Sequence, residues 1–159
     1  MLYIRPATRS DVPLILALIR ALAEYEKLAD ACVATEERLE RTMFGEKQYA
    51  ETLIAEWDGA PAGFATYFHN YSTFRAQPGI YLEDLFVKPE ARGKGIGTAL
   101  LGALAKIAEE RECGRLDWSV LDWNEPSIGF YKSLGAEPLA DWTMFRLTGP
   151  GLARLAGNG

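Results

Sequence analysis

The sequence RGKGIG at residues 92–97 constrains the fold of this 159-residue chain more than any other feature. It follows a strand-like run, IYLEDLFV at residues 80–87, and leads directly into an apolar helical pattern at residues 96–112. Glycines let the backbone N–H groups of such a turn face one concavity, and the helix N-terminus adds partial positive charge. The pattern therefore predicts a strand–loop–helix unit that binds a pyrophosphate, with Arg92 and Lys94 supplementing the field.

The loop does not match the two best-known nucleotide-binding sequences. It lacks the Gly-Lys-Ser or Gly-Lys-Thr ending of a Walker A loop. It also lacks the third glycine of the dinucleotide fingerprint at the required spacing. A simple strand-to-helix turn without a ligand is the alternative for a glycine run considered alone.

The rest of the chain alternates strand and helix patterns without a linker or repeat, which predicts one mixed α/β domain over residues 1–159. Asp58-Gly59 between two alternating runs is a hairpin signal. Helices are expected to begin near Ser10 or Asp11, at Thr35, at Ile96 and at the cap Asn124. Strands are predicted at 2–5, 49–57, 62–69, 80–87 and 115–121, with one or two more within 139–147; residues 70–79 are predicted as a loop, and the tail GPGLARLAGNG as frayed.

Composition excludes several classes of function. The net charge of −5 argues against a nucleic-acid or anionic-membrane partner and favours a cationic one. Two distant cysteines and a single histidine make a metal cluster or a Ser-His-Asp triad improbable, so no metal is expected. No secretory signal is visible, and the longest apolar stretch is too short to cross a bilayer, so a cytoplasmic protein is predicted.

One resemblance accounts for the loop. The pattern V-x-P-x-x-R-G-x-G-I-G-x-x-L at residues 87–100 resembles the acetyl-CoA motif of the GNAT superfamily of N-acetyltransferases. The segments YLEDLFV at 81–87 and WNEPSIGFYKSLGA at 123–136 are similar to the diamine (spermidine/spermine and thialysine) acetyltransferase branch. The resemblance implies a mostly antiparallel central sheet flanked by helices, a bulged central strand, acetyl-CoA as cosubstrate and a homodimer.

The resemblance also implies which residues meet the cosubstrate. The backbone N–H groups of the strand at 85–87 are the expected donors to the thioester carbonyl, and the loop holds the pyrophosphate. The implied cofactor-binding residues are Leu85, Phe86, Val87, Arg92, Gly93, Lys94, Gly95, Ile96, Gly97, Thr98, Asn124 and Tyr131.

Tyr131 is the predicted catalytic acid, because its family counterpart protonates the departing sulfur of coenzyme A. It lies seven residues after Asn124, two helical turns along, so both residues can share one side of the short helix. The alternative is that Phe130 and Tyr131 are ordinary core aromatics.

The acids of the central strand and of the first helix are the predicted amine site. Glu83 is assigned to water-assisted deprotonation or amine binding and Asp84 to amine binding, with a β-bulge bringing both to one cleft. Pairing with a nearby cation, or a position at a solvated strand edge, is the alternative. Tyr25 and Glu26 end the first helix where the family meets its cationic substrate, although Glu26 could equally belong to a solvated helix end.

The resemblance implies direct attack of a primary amine on acetyl-CoA in a ternary complex. The substrate is expected to be a small cation: a diamine, a polyamine or a thialysine-like amino acid. Phe74 stands where animal members of this branch tend to carry tryptophan, and Arg75 adds a cation. Such a cation would disfavour long polycations if it faced the cleft. Acetylation of a protein lysine or N-terminus, and a coenzyme A-binding module without turnover, remain the alternatives.

Overall fold

A computed structural model describes residues 1–158 of the chain. They form two compact units, the first of residues Met1–Leu121 and the second beginning at Asp122. The first unit contains the strands β1 (Leu2–Pro6), β2 (Glu51–Trp57), β3 (Ala60–Ser72), β4 (Gln77–Val87) and β5 (Leu116–Trp118), and the helices α1 (Val12–Tyr25), α2 (Glu36–Met43) and α3 (Ile96–Glu110).

The five strands form one sheet in the order β1-β2-β3-β4-β5. The first four strands pair antiparallel, and β5 pairs parallel to β4. The turn between β2 and β3 is the expected hairpin, since Asp58 and Gly59 have φ values of 50° and 82°. Two consecutive positive φ angles are typical of the type I′ turn that matches strand twist.

Strand β4 carries the expected bulge. Asp84 pairs with Thr66 of β3 and Leu82 pairs with Tyr67, so Glu83 is an extra residue without a pairing partner in β3. A bulge bends its strand and re-aims the neighbouring side chains. The strict alternation that would send Glu83 and Asp84 to opposite faces is therefore interrupted at these two residues.

The core of the first unit fixes the end of α1 against β4. Apolar side chains of α1 and α2 pack on a row of paired sheet residues, because one face of α1 is apolar at helical spacing. The cluster comprises Ile15, Leu18, Leu22, Met43, Ile54, Phe64 and Phe86. Helix α3 packs on the same sheet, with Leu100 and Leu104 fully buried.

The helix starts agree with the predicted capping signals. Asp11 precedes α1 and Pro13 lies in its first turn. The hydroxyl of Thr35 accepts a hydrogen bond from the Arg38 amide at 3.2 Å, as an N-cap residue should. The second unit contains α4 (Glu125–Ser133) and α5 (Gly149–Leu155), and the Asn124 side chain accepts from the Ser127 amide at 3.4 Å at the start of α4.

Three predictions about the chain's course are wrong. Residues 70–79 are mostly strand, because β3 and β4 continue as a hairpin with Ser72 opposite Gln77. No strand forms within 139–147 in the described part of the second unit, where no neighbouring strand completes a ladder. The tail is not frayed throughout, since it holds α5. Among residues 1–158, no helix has the length and apolar character needed to cross a membrane.

Candidate active site

The glycine loop has the backbone conformation that an anion cradle requires. Gly93 and Gly95 have φ values of 80° and 77°, and Gly95 is the N-cap of α3. A residue with a Cβ adopts such angles only at a cost, so glycine is needed at both positions. In the described part of the chain, no backbone acceptor is recorded for the amides of residues 93–95. The first N–H groups of α3, on residues 96–98, also lack intrahelical partners.

These exposed amides satisfy the chemical demands of a diphosphate. Residues 92–95 and Thr98 are exposed, while Ile96 is buried and fixes the start of the helix in the core. Several N–H donors and a helix N-terminus therefore face solvent at one place, which suits a doubly charged anion. The residues present fit the pyrophosphate of coenzyme A.

The two cations of the loop have different partners. The Arg92 Nε donates to the Val87 carbonyl at 2.9 Å, and the guanidinium lies over the rings of Tyr25 and Phe86. The Lys94 ammonium donates to the Glu90 carbonyl at 3.3 Å. It also lies 5.5 Å from the ring centroid of Trp57, a residue that the sequence analysis did not identify. Trp57 ends β2, far away in sequence, and no local pattern signals this contact.

Strand β4 separates from β5 beside the predicted acyl site. Their pairing consists of three residue pairs and ends at Leu82 and Trp118 in the described chain. On the other side, β4 stays paired with β3 up to Val87, opposite Gly63. The strand residues 85–87 therefore have one edge that no neighbouring strand covers, which leaves backbone groups available to an extended ligand.

Three carboxyl groups gather near the bulge. Glu26 follows the last residue of α1, and its carboxylate repels those of both Glu83 and Asp84. Burial raises the pKa of Asp84 to about 7, and the charges of Glu83 and Glu26 add to the effect. Burial, followed by the charge of Glu83, also raises the pKa of Glu26. Glu83 itself is exposed. No cation within residues 1–158 is recorded as an ion-pair partner of these three groups.

The ion pairs of the described chain bear on one alternative for these acids, pairing with a nearby cation. The pairing alternative required a nearby arginine or lysine, and the recorded ion pairs of the described chain involve other acids. Like charges held close together in a partly buried place destabilise the ionised state unless a cation joins them. The arrangement is therefore an attractive site for a positively charged ligand. In the described chain, no group of three or more His, Cys, Asp or Glu residues is arranged to hold a metal ion.

The remaining predicted residues lie in the second unit. Asn124 is buried and caps α4 through its side chain. Tyr131 lies in the last turns of α4, with its ring centroid 5.6 Å from that of Phe130. Both residues are half-buried, so the aromatic pair is not sealed in a core. The first unit thus contains the loop, the strand edge and the acids, and Asn124 and Tyr131 belong to the second unit.

Known proteins show the same sequence pattern and fold. The model of the acetyltransferase (GNAT) family matches residues 18–136. A thialysine N-epsilon-acetyltransferase of Bos taurus is 42% identical, with 98% of this chain and 97% of the relative covered. An L-ornithine N5-acetyltransferase of Arabidopsis thaliana is 32% identical, over 94% of this chain and 85% of the relative. The solved structure of a V. cholerae integron cassette protein has a TM-score of 0.83 and 31% identity, covering 98% and 97% of the two chains.

The matched residues include the structural features of the candidate site. The family match includes the bulged strand, the glycine loop and α4. Proteins of this family take the acetyl group from acetyl-CoA, in keeping with the open strand edge and the anion cradle. The chain therefore belongs to the acetyltransferase (GNAT) family, and it is an N-acetyltransferase.

Proposed function

We propose that this enzyme acetylates a primary amine of a small cationic substrate: a diamine, a polyamine or a thialysine-like amino acid. The names of the similar proteins, which acetylate thialysine and ornithine, support a compact amine. The observation that carries the proposal is the cluster of Glu26, Glu83 and Asp84, three carboxyl groups without a recorded cationic partner among residues 1–158.

The cluster can both attract the ammonium and accept its proton. A free alkylammonium has a pKa of about 10 and must lose a proton before its nitrogen becomes a nucleophile. A general base acts best when its pKa lies near the working pH. The pKa of Asp84, about 7, meets this condition. Asp84 is therefore the favoured proton acceptor, while exposed Glu83 and half-buried Glu26 bind the substrate's charge or relay the proton through water.

The acetyl group reaches the amine in a ternary complex. The loop amides of residues 93–98 hold the diphosphate, and the uncovered edge of residues 85–87 donates to the thioester carbonyl. The amine nitrogen attacks the carbonyl carbon, so that a C–N bond forms while the C–S bond breaks. Holding the amine and the thioester close together and correctly oriented supplies much of the rate acceleration.

The departing thiolate requires a proton, and we assign this role to Tyr131 on the family resemblance. Its phenol gives a proton to sulfur and recovers one from solvent. The ammonium loses two protons in the overall reaction. One is released to solvent through the acidic cluster, and the other is equivalent to the proton that the coenzyme A thiol gains. Asn124 supports Tyr131 indirectly, because its cap fixes the first turn of α4.

The two units act as one catalytic domain in this proposal, because the family match continues from one into the other. A homodimer is supported by the exposed apolar side chains of the second unit, with Trp142 at 79% and Phe145 at 91% exposure, which a second copy of the chain could cover. Two free cysteines fit a reducing, cytoplasmic location.

The proposal is tested by mixing the purified protein with acetyl-CoA and a panel of acceptors, then following free thiol. The panel contains thialysine, lysine, ornithine, putrescine, spermidine and a lysine-containing peptide. We expect rapid thiol release with the small amines and little with the peptide. Release with the peptide alone would support a protein acetyltransferase, and coenzyme A binding without release would support an inactive module; either result would contradict the proposal.

A further inference from the structure

The side chain of Arg92 is held between two aromatic rings. Its guanidinium carbon lies 5.0 Å from the ring centroid of Tyr25 and 5.6 Å from that of Phe86. The two rings are themselves 6.4 Å apart, at 58° to each other. The Nε donates to the Val87 carbonyl at 2.9 Å, which fixes the remaining freedom of the group. Planar guanidinium groups favour such stacked positions.

These contacts join three parts of the first unit. Phe86 is 5% exposed and belongs to the hydrophobic core, so core packing holds its ring in place. Tyr25 is the last residue of α1 and is 38% exposed, so the core holds it less tightly than it holds Phe86. Arg92 itself immediately precedes Gly93, the first residue of the loop with a positive φ.

We propose that Arg92 and Tyr25 couple the amine site to the cofactor loop. Tyr25 is a positioning residue here: its ring on Arg92 sets the end of α1, where the next residue is Glu26, a member of the acidic cluster. In return, the ring fixes Arg92 at the entry to the anion cradle. The inference rests on the proposed function, because it takes the loop as the diphosphate site and the acids as the amine site.

Coupling of this kind is reciprocal. If ordering Arg92 on diphosphate binding steadies Tyr25 and Glu26, the amine binds more tightly to the loaded enzyme. Loss of the Tyr25 ring should then weaken the binding of coenzyme A, although Tyr25 lies outside the loop. Loss of the Arg92 side chain should weaken the binding of the amine substrate, although the change removes a positive charge that repels a cation.

Lys94 provides a matched control for charge. It carries the same charge in the same loop, but its recorded contacts are the Glu90 carbonyl and the Trp57 ring rather than any residue of α1. Arg92→Gln and Lys94→Gln therefore remove the same charge from the loop while differing in their contact with Tyr25.

The experiment measures coenzyme A affinity by calorimetry and the KM for thialysine at saturating acetyl-CoA. We expect Tyr25→Ala to weaken coenzyme A about two- to five-fold, the size of one cation–π contact, and Tyr25→Phe to keep the wild-type affinity. We expect Arg92→Gln to raise the KM for thialysine, and to raise it more than Lys94→Gln does. Wild-type coenzyme A affinity in Tyr25→Ala, or the same KM in Arg92→Gln and Lys94→Gln, would overturn the coupling.

The two proposals fail differently. If wild-type protein gives no heat with coenzyme A, the proposed function fails and the coupling fails with it. If both loop variants weaken coenzyme A while Tyr25→Ala does not, the loop remains the cofactor site and only the coupling is lost. Circular dichroism of each variant shows whether a loss of affinity reflects unfolding.

Discussion

The carboxyl groups of Glu26 and Asp84 repel each other, although one follows helix α1 and the other lies in strand β4. The bulge at Glu83 makes this possible, because it re-aims the strand's side chains at the point where the end of α1 packs. Phe86, two residues beyond Asp84, belongs to the same core cluster as the buried residues of α1. The acidic cluster is thus a product of the fold rather than of neighbouring sequence.

The pH dependence of the reaction should report Asp84. We expect kcat/KM for thialysine to fall as the pH drops through about 7, because protonated Asp84 neither attracts the ammonium nor accepts its proton. Asp84→Asn should remove this acidic limb of the pH profile and lower kcat/KM about 10²–10⁴-fold. Glu83→Gln should move the limb to lower pH, since it removes one repelling charge. An unchanged limb in Asp84→Asn would show that another group is responsible.

Stability should change in the opposite sense to activity. The pKa of Asp84 is about 7 in the folded protein and about 3.8 in an unfolded chain, so ionisation disfavours folding. Stability is therefore lost as the pH rises from about 4 to about 7, and the full penalty remains above 7. We expect Asp84→Asn to be more stable than wild type by about 2–4 kcal/mol at pH 8, with a smaller difference at pH 5. Urea unfolding at both values measures this, and a less stable variant at pH 8 would refute it.

The loop glycines should be far more sensitive than the glycine within the helix that follows. Gly95→Ala places a Cβ at a φ of 77°, which costs about 1–2 kcal/mol and disturbs the amides around it. We expect coenzyme A affinity to fall at least about ten-fold. Gly102→Ala lies in the exposed interior of α3 with open space around its Cβ, so it should leave affinity unchanged and add about 0.5–1 kcal/mol of stability. Calorimetry with coenzyme A distinguishes the two, and equal affinities would argue against the cradle.

Tyr131 should affect turnover and not cosubstrate binding. Tyr131→Phe keeps the ring that contacts Phe130 and removes only the hydroxyl, so the helix should remain folded. We expect kcat to fall about 10²-fold or more, the size of a lost general acid, with coenzyme A affinity intact. Near-normal turnover would return Tyr131 to the role of a packing residue.

Local sequence predicted the parts of the fold that depend on local physics. Gly93 and Gly95 between a strand and a helix, Asp58-Gly59 in a hairpin, and the caps at Thr35 and Asn124 each act through their own backbone neighbours. The backbone conformation of the loop could be predicted from residues 92–97 for this reason.

Features set by distant partners could not be predicted in the same way. The hairpin at 70–79 has a polar sequence containing Pro78, and only cross-strand pairing makes it strand. The apolar residues at 139–147 resemble a strand, yet a strand also requires a neighbour. The positions of Arg92 on Tyr25 and of Lys94 on Trp57 depend on packing between elements far apart in the chain.

The central claim is that the main-chain amides of the glycine loop bind the diphosphate of coenzyme A, and amide chemical shifts test it most directly. Titration of ¹⁵N-labelled protein with coenzyme A should move the signals of Gly93, Gly95 and Gly97 further than that of Gly102, with saturation at one equivalent per chain. If those three signals stay in place while coenzyme A is bound elsewhere, or if no signal moves, the account is contradicted.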